Sequence, residues 1–172
     1  MNKLNIGCGN DYKKDYINLD YNSIYKLDVN HNLNKFPYPF EDEYFDEIYA
    51  SHILEHIDDL FKTMDELLRI LKKDGIIHIR IPHFSNGLGY SDLSHKRFFG
   101  YNTFKIMESG YYNREFNFEI IETKFNFLEK SHYKLNTYFS WIFNIIPKKF
   151  YERFLCWIIP VGEIEIKLRK IV

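Results

Sequence analysis

The sequence predicts a single α/β domain whose sheet carries helices on one face and polar side chains on the other. Three observations predict it: seven short apolar runs bounded by Gly, Pro, Asn or Asp, one clear amphipathic helix between the fourth and fifth runs, and alternating polarity within the runs themselves. The runs fall at 3–7, 16–20, 26–31, 45–50, 76–82, 118–127 and 163–171. The helix is marked by Leu60, Phe61, Met64, Leu67, Leu68 and Leu71 at the helical period. Asp58 or Asp59 can cap its start, Lys72 and Lys73 suit its negative end, and Gly75 stops it. Strand, helix, strand through 45–82 makes a parallel crossover. A second helix is expected over Thr103–Ser109, stopped by Gly110.

Two crossovers are too short for helices, those from Gly9 to Asp20 and from Asp20 to Lys26. The strands agree with this. Leu4/Ile6, Ile17/Leu19, Leu27/Val29, Ile77/Ile79/Ile81 and Ile164/Ile166/Leu168 alternate with Asn5, Asn18, Asp28, His78/Arg80 and Glu163/Glu165/Lys167. Parallel strands covered on both faces read instead as continuous apolar runs. The second face is therefore expected to meet solvent or another chain, which leaves room for a homodimer, unless the segment after residue 128 folds over it.

Bulk composition narrows the function. A length of 172 residues suits one domain, and 23 basic against 24 acidic side chains give no electrostatic case for nucleic acid. Cys8 and Cys156 are far apart, no charged-then-apolar leader is evident, and no uncharged run reaches the ~18 residues of a membrane span. A cytoplasmic protein is expected.

In open α/β sheets, ligands bind beyond the carboxyl ends of the strands. Leu4–Asn10 (LNIGCGN) places a glycine turn there, and Gly7 and Gly9 let backbone approach a ligand closely. Asp20 ends the second strand, where a carboxylate can accept from both hydroxyls of a ribose. Asn32 and Leu33 follow the third, Ala50-Ser51-His52 end the fourth, and Pro82-His83-Phe84 end the fifth.

At these residues the sequence resembles class I S-adenosylmethionine-dependent methyltransferases, above all the small GCG-type, methyltransferase type 11-like group. The resemblance spans roughly residues 3–107 and is most specific in FPYPFEDEYFDEIYASHILEHIDD (36–59) and LLRILKKDGIIHIRIPH (67–83). It implies a reduced Rossmann-like sheet, mostly parallel with an antiparallel final strand, and S-adenosylmethionine as cofactor. Asn5, Gly7, Cys8 and Gly9 would lie along its methionine part, and Asp20 and Tyr21 at its ribose. Asn32 and Leu33 would meet the adenine, and Ala50 and Ser51 the sulfonium. Asn32 stands where the family usually has Asp; an Asn carbonyl accepts the same hydrogen bond without the charge. The third glycine of a dinucleotide fingerprint is missing, since Asn10, Asp11 and Tyr12 follow the GCG. The helix usual before the first strand is absent too.

Methyl transfer needs little from the protein beyond positioning, but a hydroxyl acceptor must lose a proton, and histidine titrates near neutrality. His83 is the first choice as base, followed by His52 and by His95 in DLSHKRFF, which resembles the family's Asp-Pro-x-His-Lys-Arg-Phe loop. His56 is read as a packing residue. His83 and His95 lack a third ligand, so no metal site is expected. The fourth strand lacks the Asn/Asp-Pro-Pro-aromatic signature that resembling enzymes use on amide and base nitrogens. The expected acceptor is thus an oxygen of a small molecule, glycan or lipid-linked sugar.

Residues 128–160 read as an aromatic insert between the last two strands, forming two short amphipathic helices. They carry Tyr138, Phe139, Trp141, Ile142 and Phe143, then Phe150, Tyr151, Phe154 and Trp157. Such a segment can pack on the sheet or a neighbour, cover a substrate, or touch a membrane surface through 138–160, which would make the protein peripheral. Three other functions compete: a non-catalytic cofactor-binding or assembly subunit; a nucleotide-dependent oxidoreductase, against which the missing third glycine argues; and, most remotely, a small hydrolase using histidines alone, since no serine or cysteine sits in a nucleophile elbow.

Overall fold

The computed structural model describes residues 1–111, 113–128 and 133–172, with the side chains of 133–138 excepted. Residues 129–132 of the insert lie outside the described residues. One sheet runs through the molecule. Its strands are β1 (Lys3–Ile6), β2 (Ile17–Asp20), β3 (Val29–Asn30), β4 (Phe45–Ser51), β5 (Leu71–Pro82), β6 (Phe118–Asn126) and β7 (Glu163–Lys170), in the order β3-β2-β1-β4-β5-β7-β6. All neighbours pair in parallel except β7, which runs antiparallel to both β5 and β6. Every expected strand is present, the third trimmed to two residues.

The helices are α1 (Leu60–Ile70), α2 (Tyr101–Glu108), α3 (Tyr133–Ile145) and α4 (Lys148–Phe154). Among the described residues, only α1 bridges parallel neighbours; the connections β1–β2, β2–β3 and β3–β4 contain no helix. Asp59 caps α1 by accepting from Lys62 N–H at 3.0 Å. The helix stops at Ile70 rather than running on toward Gly75, because its last carbonyls find tertiary partners. Glu43 and Tyr44 N–H donate to the carbonyls of Arg69 and Ile70, and the Lys170 ammonium donates to that of Leu71. Phe45 then pairs with Leu71 and Glu47 with Ile76, so residues 72–75 bulge out of β5. The helix α2 begins two residues earlier than expected, since Glu152 accepts from Tyr101 N–H and Thr103 Oγ1 accepts from Gly100 N–H.

One core joins Leu4, Ile6, Ile48, Ala50, Ile77, Ile79, Ile81, Ile164 and Ile166 of the sheet to Met64 and Leu67 of α1 and Phe104 of α2. The opposite face is polar, as the alternation predicts, and satisfies itself. Asn5 donates to Asn18, Tyr16 to Glu47, and Arg80 to Glu163, Tyr49 and Ser51, while His78 pairs with Glu165. Among the described residues no helix lies across it.

The insert does not fold over that face. Asn144 of α3 accepts from Phe125 N–H and donates to its carbonyl, and Ser140 accepts from Phe127 N–H, so α3 closes the outer edge of β6. Phe143 and Tyr151 pack into the core beside Phe125, while Trp141, Trp157 and Ile158 are 59–75% exposed. No helix of the described residues is long and apolar enough to cross a membrane.

Candidate functional site

The sheet grows in both directions from β1, which pairs with β2 on one side and β4 on the other. At such a switch point the outgoing loops part and leave a crevice at the carboxyl ends of the strands. A cavity of about 590 Å³ opens there, bounded by Gly7, Asp20, Tyr21, Asn32, Leu33, His52, Ile53 and His56 among others. Small-molecule sites span about 300–1,000 Å³.

Asp20 is the anchored charge of this cavity. Its Oδ2 accepts from Gly9 N–H and its Oδ1 from Asn22 N–H, each at 2.9 Å. The two bonds fix the carboxylate plane and still leave a free lone pair on each oxygen. Gly7 makes the turn after β1 with φ 59°, and a Cβ there would stand 2.4 Å from Cγ1 of Ile53. The backbone therefore runs flush against that side chain, a path open only to glycine. Leu33 is buried, its carbonyl accepting from the Tyr38 hydroxyl at 3.0 Å, and supplies an apolar wall. Exposed Asn32 turns its Oδ1 to Asn34 N–H.

A second cavity of about 320 Å³ shares His52 and His56 with the first and adds Glu55, Asn86, Asp92 and His95. His52 leaves β4 with φ 51°. Its Nε2 lies 3.1 Å from Glu163 Oε2 and its Nδ1 3.5 Å from Glu55 Oε1. Burial opposes a charge on His52, but the two carboxylates outweigh it and raise its pKa to about 9. Protonated at neutral pH, His52 suits hydrogen-bond donation and not the part of general base expected of it. Glu163 is itself buried. Burial works against its charge, and hydrogen bonds from His52, Arg80 and Asn126 with the Arg80 guanidinium still bring its pKa below the usual carboxylate range.

Of the residues singled out from sequence, Gly7, Asp20, Tyr21, Asn32, Leu33 and His52 line the first cavity and His95 the second. Gly9 serves from behind, through its N–H to Asp20. Four others line neither cavity. Asn5 is tied to Asn18 and to the Asp11 carbonyl on the polar face, and Ser51 accepts from Arg80 there. Ala50 is in the core. Cys8 is buried, and burial pushes its thiol up to about 11.

His83 follows directly on β5. It is buried, with Nδ1 2.7 Å from Ser85 Oγ and Nε2 3.1 Å from Glu152 Oε1, packed against Phe84 and Phe125, and it lines neither cavity. No described residue of the insert lines either cavity. Sequence reading missed Glu55, which sits three residues after His52 on the single-turn helix Leu54–His56. That spacing brings two side chains to one side of a turn and was the available signal.

Residues 4–79 match the model of a family described as a methyltransferase domain. An S-adenosylmethionine-dependent methyltransferase from Archaeoglobus fulgidus shares the fold at 22% identity and TM-score 0.67, over 98% of this chain and 86% of its own. One from Mesorhizobium loti does so at 11% identity and TM-score 0.60, over 98% and 90%. The 4+2 cyclase SpnF does so at 15% identity and TM-score 0.63, over 99% and 75%. No curated protein matches the chain.

Proposed function

We propose that the chain, which matches a methyltransferase-domain family over residues 4–79 and carries a reduced Rossmann-like sheet, is a class I methyltransferase that methylates an oxygen of a small molecule, glycan or lipid-linked sugar. The cofactor is S-adenosylmethionine, which supplies a methyl group on a sulfonium for direct displacement by the acceptor. The observation that carries the reading is Asp20, a carboxylate locked by two backbone N–H groups yet open to the cavity through its remaining lone pairs.

In this reading Asp20 accepts from the two ribose hydroxyls, and Gly7 lets the methionine part lie against backbone. Leu33 packs on the adenine, and the Asn32 carbonyl accepts from its exocyclic amine. Exposed Tyr21 stands at the mouth. The acceptor approaches through the second cavity, where His52 and His56 form the shared wall. The end of β4, Ala50-Ser51-His52, lacks the proline-aromatic signature associated with amide and base nitrogens, which favours oxygen. An oxidoreductase is disfavoured because no helix starts after Gly9 to receive a pyrophosphate at its N-terminus.

A second reading, a cofactor-binding subunit that assembles with another protein, draws support from the exposed Trp157 and Ile158. Equilibrium dialysis with labelled S-adenosylhomocysteine tests cofactor binding, and incubation with methyl-labelled S-adenosylmethionine and hydroxyl acceptors separates the two readings. Retention is expected, weakened by about 1–3 kcal/mol in Asp20→Ala, the range for a lost charged hydrogen bond. No retention by folded protein overturns the cofactor reading. Retention without methyl transfer to any hydroxyl acceptor favours the assembly role.

A further inference from the structure

We propose that Glu55, His56 and His95 form a binding site for a divalent transition cation, Zn²⁺ in the first place, at the junction of the two cavities. The first sign is a buried carboxylate without hydrogen bonds, whose one ion-pair neighbour stands at a distance. The Glu55 side chain is 1% exposed, and neither of its carboxylate oxygens has a hydrogen-bond partner. Its near neighbour is His52 Nδ1, 3.5 Å away at the limit of hydrogen-bond reach. Buried carboxylates are normally hydrogen-bonded, paired closely or bound to a metal.

The second sign is what stands beside it. One ligand atom from each of Glu55, His56 and His95 lies within 4.8 Å of the others. The imidazole rings of His56 and His95 meet edge to face at 4.8 Å between centroids. Their hydrogen bonds fix which nitrogen of each neutral ring is left for a metal. His95 Nδ1 lies 2.7 Å from the Gly89 carbonyl and must donate to it, which leaves Nε2 with its lone pair. Ser94 donates its single hydroxyl proton to Asp92 at 2.5 Å, so it can only accept from His56 Nδ1 at 2.9 Å. In the neutral His56 ring the lone pair is therefore on Nε2 as well. Ligating histidines commonly have the other ring nitrogen held in this way by a carbonyl or a carboxylate relay.

Two neutral imidazoles and one carboxylate form a borderline donor set suited to Zn²⁺ and Co²⁺. Tetrahedral zinc holds such donors about 3.4 Å apart, given metal–ligand bonds of about 2.0–2.2 Å. The widest of these separations must therefore contract by up to about 1.4 Å, and His95 sits on the exposed loop that can supply the movement. Asp92, half exposed and 3.7 Å from His95 Nε2, is placed to give a fourth ligand or to leave that position to a substrate oxygen. With His56 in the shared wall, a cation here would hold an acceptor oxygen beside the first cavity. That role rests on the methyltransferase reading; the metal site does not.

The test uses the full chain, stripped with a chelator and titrated with Zn²⁺ by calorimetry, with Co²⁺ followed by visible absorption. One Zn²⁺ per chain is expected, with affinity at least tenfold lower in His95→Ala and in Glu55→Gln. Should Glu55→Gln fail to fold, His95→Ala decides, since His95 is on a loop. Absence of stoichiometric binding, or equal binding by wild type and variants, overturns the proposal. S-adenosylhomocysteine binding by the metal-free protein is measured separately, so a failure of the cofactor reading is distinguishable from a failure of the metal site.

Discussion

At Gly7 two independent restraints act on one atom that is absent. The residue holds φ 59°, and its missing Cβ would fall inside Ile53. A left-handed non-glycine residue costs about 1–3 kcal/mol before any clash is counted. Gly7→Ala is expected to lower the urea-unfolding free energy by at least that much and to abolish cofactor retention. Combining it with Ile53→Ala should restore only part of the stability, because the backbone cost stays. His83 calls for the opposite outcome. Its replacement by Ala removes its hydrogen bonds to Ser85 and Glu152 and opens a hole beside Phe125, for about 2–4 kcal/mol. Cofactor affinity of the folded variant should be unchanged in dialysis; a specific loss of affinity would return His83 to the site. Its position at the end of β5 suggested a site residue, but the pleat decides which way a strand-end side chain points. Ile77, Ile79 and Ile81 face the helices, and His83 continues their parity into the core. The same parity puts Asn5 on the polar face between Leu4 and Ile6. Gly7 and Asp20 were legible because a turn and a strand-end carboxylate need no knowledge of side-chain direction. Glu55 was legible only through its spacing from His52, since nothing local shows that His95 lies beside it from a loop forty residues away.

Helix α3 illustrates how an element can serve a sheet without covering its face. The outer strand β6 would otherwise present unpaired backbone groups, an invitation to pair with another chain. Asn144 meets both the N–H and the carbonyl of Phe125, at 3.0 and 2.8 Å, as a neighbouring strand would. Asn144→Leu removes both bonds while keeping a side chain of similar size. A loss of about 1–3 kcal/mol is expected in urea unfolding, with increased light scattering on storage as the edge is uncovered. Unchanged stability and scattering would show that packing of Phe143 alone holds the helix. The two helices of the insert were visible from aromatic spacing, but their role was not, because an amphipathic pattern fixes a buried stripe and not the surface that buries it. The end of α1 was misplaced for a related reason. A glycine was taken as the stop, whereas Asp74 carries the left-handed turn at φ 62° and tertiary donors take the helix carbonyls.

Across the whole molecule, the sheet is held by apolar packing on one side and by a hydrogen-bonded, charged layer on the other. Alternation along each strand makes this asymmetry legible in the amino-acid sequence, since period-two polarity is incompatible with cover on both faces. The identity of each partner is not legible there, because it depends on strand order, which sets His78 opposite Lys167 with Glu165 diagonal to it across β5 and β7. The consequence is sensitivity to acid. The hydrogen bond from His78 to Glu165, 2.5 Å long, outweighs burial and holds the Glu165 carboxyl down to about 2, while Glu47 and Glu163 also lie below the usual carboxylate range. A carboxyl whose pKa is lower folded than unfolded binds its proton more readily in the unfolded chain. Its contribution to stability is complete above the unfolded value of about 4.3 and disappears as pH falls toward the folded value. Urea midpoints should thus be flat with respect to this group near neutrality and fall between about pH 4.3 and pH 2. Glu165→Gln should shift the neutral-pH midpoint down and make the acid limb shallower, because the variant has no proton to take up at that position. If the acid limb keeps its full slope in Glu165→Gln, the charged layer does not couple to folding through this pair, and the polar face is merely tolerated by a fold that its core alone sustains.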